Sequence, residues 1–173
     1  MPVAPPEPEL SPYIRDLEHY AINSENVELD IDQRVQLVIF LLNGEYFALS
    51  GRNVKEIVNE MKIDFLPGAP EAILGIINLR GDVESVIDLK HILKLPESES
   101  SLGGERKILI AVSGEYQCGI LVDELLELTD LPEEAIRPVE GALKRSFQDL
   151  VSAEFTYNSR VVFLLDMEKV MPV

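Results

Sequence analysis

Arg80 is the side chain of this sequence best suited to chemistry with another molecule. It stands in Asn78-Leu79-Arg80-Gly81, after Ile76 and Ile77 and before the apolar run Val83, Val86 and Ile87 that ends at Asp88. Gly81 takes a positive φ without steric cost, so the chain reverses there. The result is a hairpin tip presenting an amide and a guanidinium. A guanidinium is a planar fork that pairs with a carboxylate of a partner. The competing reading is an ordinary hairpin with a solvated arginine.

The other reactive residue types do not assemble into a site. His19 and His91 are the only histidines, and no ligand-spaced cysteine or carboxylate cluster accompanies them. Cys118 is the single cysteine and lies in an apolar run, which predicts a small core residue. Asp123 with Glu124, or Glu133 with Glu134, would serve as acid and base only with a raised pKa in a pocket. Leu131-Pro132-Glu133-Glu134 reads instead as a helix start, where acidic side chains favour the positive dipole end. No phosphate-binding glycine loop or nucleophile elbow is present. We therefore expect no catalytic residue, cofactor or metal.

Composition narrows the class further. The 173 residues carry a formal net charge of −16 and are 46% hydrophobic. Nucleic acids and anionic lipids are bound through Lys and Arg, so neither is expected as a partner. The longest apolar run, Leu37 to Leu42, is far short of a membrane span. The N-terminus lacks the basic and apolar regions of a signal peptide. A cytoplasmic protein that does not insert into the membrane is expected.

The elements that must position Arg80 are mostly short strands. Residues 1–34 are set apart by Pro2, Pro5, Pro6, Pro8 and Pro12 and by eight acidic residues against two basic ones. They read as a largely flexible extension, with a helical turn over Pro12 to Tyr20. Val35 to Leu42 is a strand, Asn43-Gly44 a hairpin turn, and Tyr46 to Leu49 the return. Val54 to Val58 is a further strand. Pro70 is suitably placed to start a short helix over Ala69 to Leu74. Leu95 to Arg106 is polar and reads as a linker. Beyond it, Ser113 to Leu128 parallels Asn43 to Val58, aligned on Gly-Glu-Tyr, and Val86 to Leu93 parallels Leu164 to Met171. This internal repeat predicts two similar β-lobes. Asp88 and Asp166 take matching positions and should cap the short helical turns beyond them.

Taken in order, Val54 to Val58, Phe65 to Gly81, Val86 to Leu89, Gly119 to Leu128 and Leu164 to Met171 resemble the CheW coupling-protein family of bacterial chemotaxis. The resemblance spans roughly Gln36 to Met171. It implies two tandem SH3-like five-stranded β-barrels over residues 35–173, with the linker near residues 95–106 between them. It also implies a non-catalytic adaptor. The cytoplasmic helical tip of a methyl-accepting chemoreceptor would lie between the barrels, and the regulatory domain of a CheA-type histidine kinase would pair with their outer faces. Such an adaptor is cytoplasmic and reaches membrane-associated receptor arrays through its partners. Carried over by residue, Val54, Glu56 and Ile57 match the receptor-contact strand, and Asn78, Arg80 and Gly81 match the functional turn. Gly119, Leu125 and Leu128 match the second-barrel stretch lining the same groove. For Val54, Ile57, Leu125 and Leu128, plain core packing is the competing reading.

The sequence also departs from the family. Ser50-Gly51-Arg52 intervenes after the return strand and is expected to loosen that loop. Ser85 replaces a proline, and Asp149 to Ser152 lacks a glycine. These changes leave two pathways open, chemotaxis or a paralogous system for surface motility, development or gene regulation. From another class, a small enzyme with an unrecognised carboxylate site would require Asp123 and Glu124 in a pocket.

Overall fold

A computed structural model describes residues 33–96, 104–139 and 145–171. The helical turn expected over Pro12 to Tyr20, His19, and most of the expected linker and extension lie outside these residues. The regular structure of the described residues is mainly strand: β1 (Arg34–Leu42), β2 (Glu45–Ser50), β3 (Val54–Asn59), β4 (Ile73–Leu79), β5 (Asp82–Ile87), β6 (Lys107–Ser113), β7 (Tyr116–Val122), β8 (Glu124–Pro132), β9 (Val151–Tyr157) and β10 (Arg160–Leu165). Two one-turn helices, α1 (Leu89–Ile92) and α2 (Met167–Val170), come after β5 and β10. As expected, Asp88 caps the first by accepting from the His91 N–H, and Asp166 caps the second by accepting from the Glu168 N–H.

The strands form two five-stranded sheets, ordered β8-β1-β2-β10-β9 and β3-β6-β7-β5-β4. The chain beyond each edge strand returns to the far edge. Asp64, after β3, exchanges both backbone hydrogen bonds with Ile76 of β4, and Arg137, after β8, does so with Glu154 of β9. Each sheet thus curls toward closure, which protects its edges. We call the first sheet lobe one and the second lobe two.

Lobe two is one continuous run of chain, β3 to β7, set between β1-β2 and β8-β9-β10, which together form lobe one. The chain changes lobe at the third strand of each half, β3 and β8, so the expected linker near residues 95–106 joins β5 to β6 of the same lobe and does not separate the lobes. The repeat relates β1-β2-β3-β4-β5 to β6-β7-β8-β9-β10, with equivalent pairings throughout. Its register differs from the Gly-Glu-Tyr alignment by one residue. The first hairpin turns at Asn43-Gly44 and pairs Leu42 with Glu45, whereas the second turns at Gly114-Glu115 and pairs Ser113 with Tyr116. Turn geometry, which tolerates either pair, overrides the sequence match.

Crossing explains why several strands are apolar without alternation. Leu37 and Ile39 of β1 point into lobe one, while Val38, Phe40 and Leu42 point into a core shared by both lobes. In β6, Ile108 and Ile110 fill lobe two, and Leu109 and Ala111 face the shared core. A strand buried on both faces reads as a continuous apolar run. The shared core also takes Phe47, Cys118, Phe147, Phe163, Met167 and Met171. Cys118 is buried there, as its surroundings suggested.

Two local expectations fail. No helix forms over Ala69 to Leu74. The Ile73 N–H donates to the Pro70 carbonyl (2.9 Å) in a turn, and β4 starts at Ile73. Proline's fixed φ suits a turn as well as a helix start, and pairing with β5 draws the residues from Ile73 onward into the sheet. The Ser50-Gly51-Arg52 insertion does not loosen its loop. Gly51–Asn53 form a 3-10 turn packed so closely on Gln36 that a Cβ at Gly51 would stand 2.9 Å from Gln36 Cγ.

Candidate functional site

The turn joining β4 and β5 holds the candidate arginine. Arg80 and Gly81 both have positive φ, 54° and 93°, as a two-residue turn of the twist-matching type requires. For arginine this region costs on the order of 1 kcal/mol. Two contacts hold it there. Asn78 Oδ1 accepts from the Gly81 N–H at 2.8 Å, so this amide oxygen is engaged within the hairpin. Arg80 reaches Glu56 on β3 with both ends of its fork: Nη1 donates to Oε2 at 2.9 Å and Nη2 donates to Oε1. The Arg80 hydrogen bond, more than its charge, holds the Glu56 carboxyl below its usual range.

This pair ties together the two edge strands of lobe two. The arginine side chain is 73% exposed and the glutamate 26%. The pair is therefore a surface feature with a fixed geometry. It carries a positive and a negative group side by side, both pre-oriented, beside the apolar residues of β3. Lobe one has a counterpart: the Tyr157 hydroxyl at the end of β9 donates to Glu127 of β8. That bond, foremost, pushes the tyrosine pKa up. The sequence reading missed this second tie, which the repeat would have disclosed once its register was known.

The nine sequence-derived residues fall into separate groups. Glu56, Asn78, Arg80 and Gly81 come together at the hairpin tip. Val54, Ile57 and Leu125 are half-buried and pack against the shared core. Val54 and Ile57 are three apart yet pack against the same core because β3 bulges between Val54 and Glu56. Leu128, on edge strand β8, is 45% exposed. Gly119 is different. It is buried on β7, and a Cβ there would stand 2.9 Å from Ile108 Cγ2 and 3.3 Å from Val86 Cγ2. Its place is inside lobe two, where a side chain does not fit.

Two open clefts lie elsewhere. One, of about 580 Å³, is lined by residues of both lobes including Arg52, Ser113, Arg137 and Asp166. The other, of about 420 Å³, is lined by Glu45, Tyr46, Arg145 and Arg160 among others. Neither contains any of the nine residues. Among the described residues no group of three or more metal-ligating side chains occurs, and no helix is long and apolar enough to cross a membrane.

The acid–base candidates are engaged in structure. Asp123 Oδ2 accepts from the Asn43 N–H (2.8 Å), and Oδ1 accepts from Lys90 Nζ (2.6 Å). Glu133 and Glu134 open an exposed 3-10 turn, as the helix-start reading anticipated. Both oxygens of Asp123 thus have protein donors, and Glu133 lines the open cleft of about 580 Å³ from its exposed turn.

Comparisons with known proteins agree with this geometry. The family model described as the CheW-like domain matches residues 36–173. The chemotaxis protein CheW of Bacillus subtilis is 29% identical over 136 residues, covering 79% of this chain and 86% of that protein. Protein FrzA of Myxococcus xanthus is 27% identical over 125 residues, covering 72% and 77%. The crystal structure of the scaffolding protein TtCheW from Thermoanaerobacter tengcongensis superposes with a TM-score of 0.71 at 24% identity, covering 86% of this chain and 95% of that one. This last likeness concerns the fold.

Proposed function

The chain belongs to the CheW-like domain family, and on that premise we propose that it is a non-catalytic adaptor coupling transmembrane chemoreceptors to a CheA-type histidine kinase. One partner is the cytoplasmic helical tip of a methyl-accepting receptor. The other is the CheW-like regulatory domain of the kinase. The protein itself stays in the cytoplasm and joins receptor arrays through these contacts.

The observation that carries the reading is the fixed Glu56–Arg80 pair beside the half-buried Val54 and Ile57. An amphipathic helix lays spaced apolar side chains against such residues, while a charged pair at the margin sets its direction. Leu125 and the exposed Leu128 on β8 extend the apolar surface offered by the crossing strands. Asn78 and Gly81 act indirectly, by shaping the turn that holds Arg80. Gly119 acts only through packing.

A pull-down with a receptor-tip fragment and the kinase regulatory domain tests this. Arg80→Glu and Glu56→Lys each break the internal pair and reverse a surface charge, so each should lose the receptor tip. The double variant restores the pair with opposite polarity. Recovery would make the pair a strut, and continued loss would make it a contact. Normal tip binding by both single variants would overturn the site. A second reading, adaptor of a paralogous pathway for surface motility, development or gene regulation, is supported by the similarity to FrzA, which does not carry a chemotaxis name. Pull-down with that pathway's own receptor separates the two.

A further inference from the structure

The residue immediately before each crossing strand grips the opposite half of the chain. Asn53 precedes β3, and its Nδ2 donates to the Val112 carbonyl on β6 at 2.9 Å. Asp123 precedes β8, and its backbone N–H donates to the Leu41 carbonyl on β1 at 3.0 Å. Val112 and Leu41 occupy equivalent places in the two hairpins, each one residue before the end of its strand. Both crossings are thus clamped onto the same carbonyl of the repeat, once by a side chain and once by the backbone.

The Asp123 clamp is the more elaborate. Its carboxylate also accepts from the Asn43 N–H in the β1–β2 turn and from Lys90 on α1. Asn43 in turn donates through Nδ2 to the Pro96 carbonyl at 2.6 Å. The carboxylate thus joins the crossing to the β1–β2 turn and to α1, and Asn43 carries the link on to the chain leaving α1. The aspartate side chain is 15% exposed and that of Lys90 36%, so salt screens the pair less than it would a surface pair. Beyond the clamps lie β3, carrying Val54, Glu56 and Ile57, and β8, carrying Leu125 and Leu128.

We propose that Asp123, assisted by Lys90 and mirrored by Asn53, is a positioning residue that fixes the spacing of β3 and β8 and so sets the surface the partner helix meets. The consequence for binding rests on the adaptor reading given under Proposed function; the spacing itself does not. The side chain touches no partner. It acts through β8, whose start it anchors, as Asn53 acts through β3.

The test is a distance measurement by pulsed electron spin resonance between spin labels at Lys55→Cys and Asp130→Cys, in a Cys118→Ala background. The clamped protein gives one narrow distribution. Asp123→Ala should broaden or shift it while circular dichroism retains the β signal. Asp123→Asn, whose amide oxygen still accepts from Asn43, should restore most of the narrowness. Receptor-tip affinity should fall roughly five- to tenfold in the alanine variant. If Asp123→Ala does not fold, Asn53→Ala, which removes the mirrored bond to the Val112 carbonyl, should broaden the distribution in the same sense. A distribution unchanged in a folded Asp123→Ala protein, or in Asn53→Ala where the first does not fold, overturns the proposal. Failure of the unmodified protein to bind the tip would sink the adaptor reading and leave the distance result standing.

Discussion

Replacing Phe47 with alanine should weaken both lobes together, although Phe47 belongs to a strand of lobe one. Its side chain is fully buried in the shared core. Its ring meets Phe147 edge-on at 5.2 Å and lies 6.2 Å from Phe163 and 6.4 Å from Phe40. Truncating a buried phenylalanine costs about 3–5 kcal/mol, the spread reflecting how far the site collapses. This ring is hemmed by three others, so little collapse is available and the upper half of the range applies. A domain has only about 5–15 kcal/mol of stability, and one of this size loses roughly 2–4 °C per kcal/mol. The midpoint should therefore fall by about 8–20 °C. Calorimetry should show a single transition in both proteins. Native-state hydrogen exchange gives the sharper view, since amides of β9 in lobe one and β4 in lobe two should lose protection by similar amounts. Two resolved transitions, or weakened β9 with unaltered β4, would refute the idea that the shared core makes the lobes one cooperative unit.

The same packing sets several other outcomes. Gly75→Ala places a Cβ against the Asp64 carbonyl oxygen and 2.8 Å from Ile63 Cγ2, at a φ of +155°; strain alone should cost roughly 1–3 kcal/mol in urea unfolding, and an unchanged midpoint would contradict the closure of lobe two at Asp64. Asp88→Ala and Asp166→Ala should each cost about 0.5–2 kcal/mol as lost caps, measured by the same urea titration. Burial, with Glu84 adding to it, pushes the Cys118 thiol from 9.0 up to about 11. The folded state keeps this proton when the unfolded chain has lost it, so stability is full below pH 9 and declines by about 2–3 kcal/mol as pH rises to 11. Cys118→Ala should remove that part of the alkaline decline. Gly119→Val should lower the melting temperature because the added side chain meets Ile108 and Val86, and a normal midpoint with lost partner binding would instead make Gly119 a contact.

Local chemistry was legible in the sequence because the causes are local. Asn43-Gly44 announces its turn, Gly81 its reversal, and Asp88 and Asp166 their caps, all within a few residues. The long apolar runs of β1 and β6 announced strands, and the repeat announced two lobes. Which lobe receives β3 and β8 was not legible, since a hydrophobic pattern says which faces are buried and not against which partner. The Glu56–Arg80 pair is likewise invisible: its members are separated by 24 positions and meet only because the sheet curls. Nor was it legible that Gly119 packs against Ile108 and Val86, because the sequence does not say which strands flank β7. Pro70 misled because one fixed dihedral serves helix starts and turns alike.

Sedimentation velocity on three components reaches the proposed role most directly: a receptor-tip fragment, the kinase regulatory domain, and this protein. Tip and kinase domain should sediment separately when mixed alone and co-sediment when this protein is added, with no chemical change in any of them. A protein that binds only one of the two, or that lets one displace the other, would not be the bridge described.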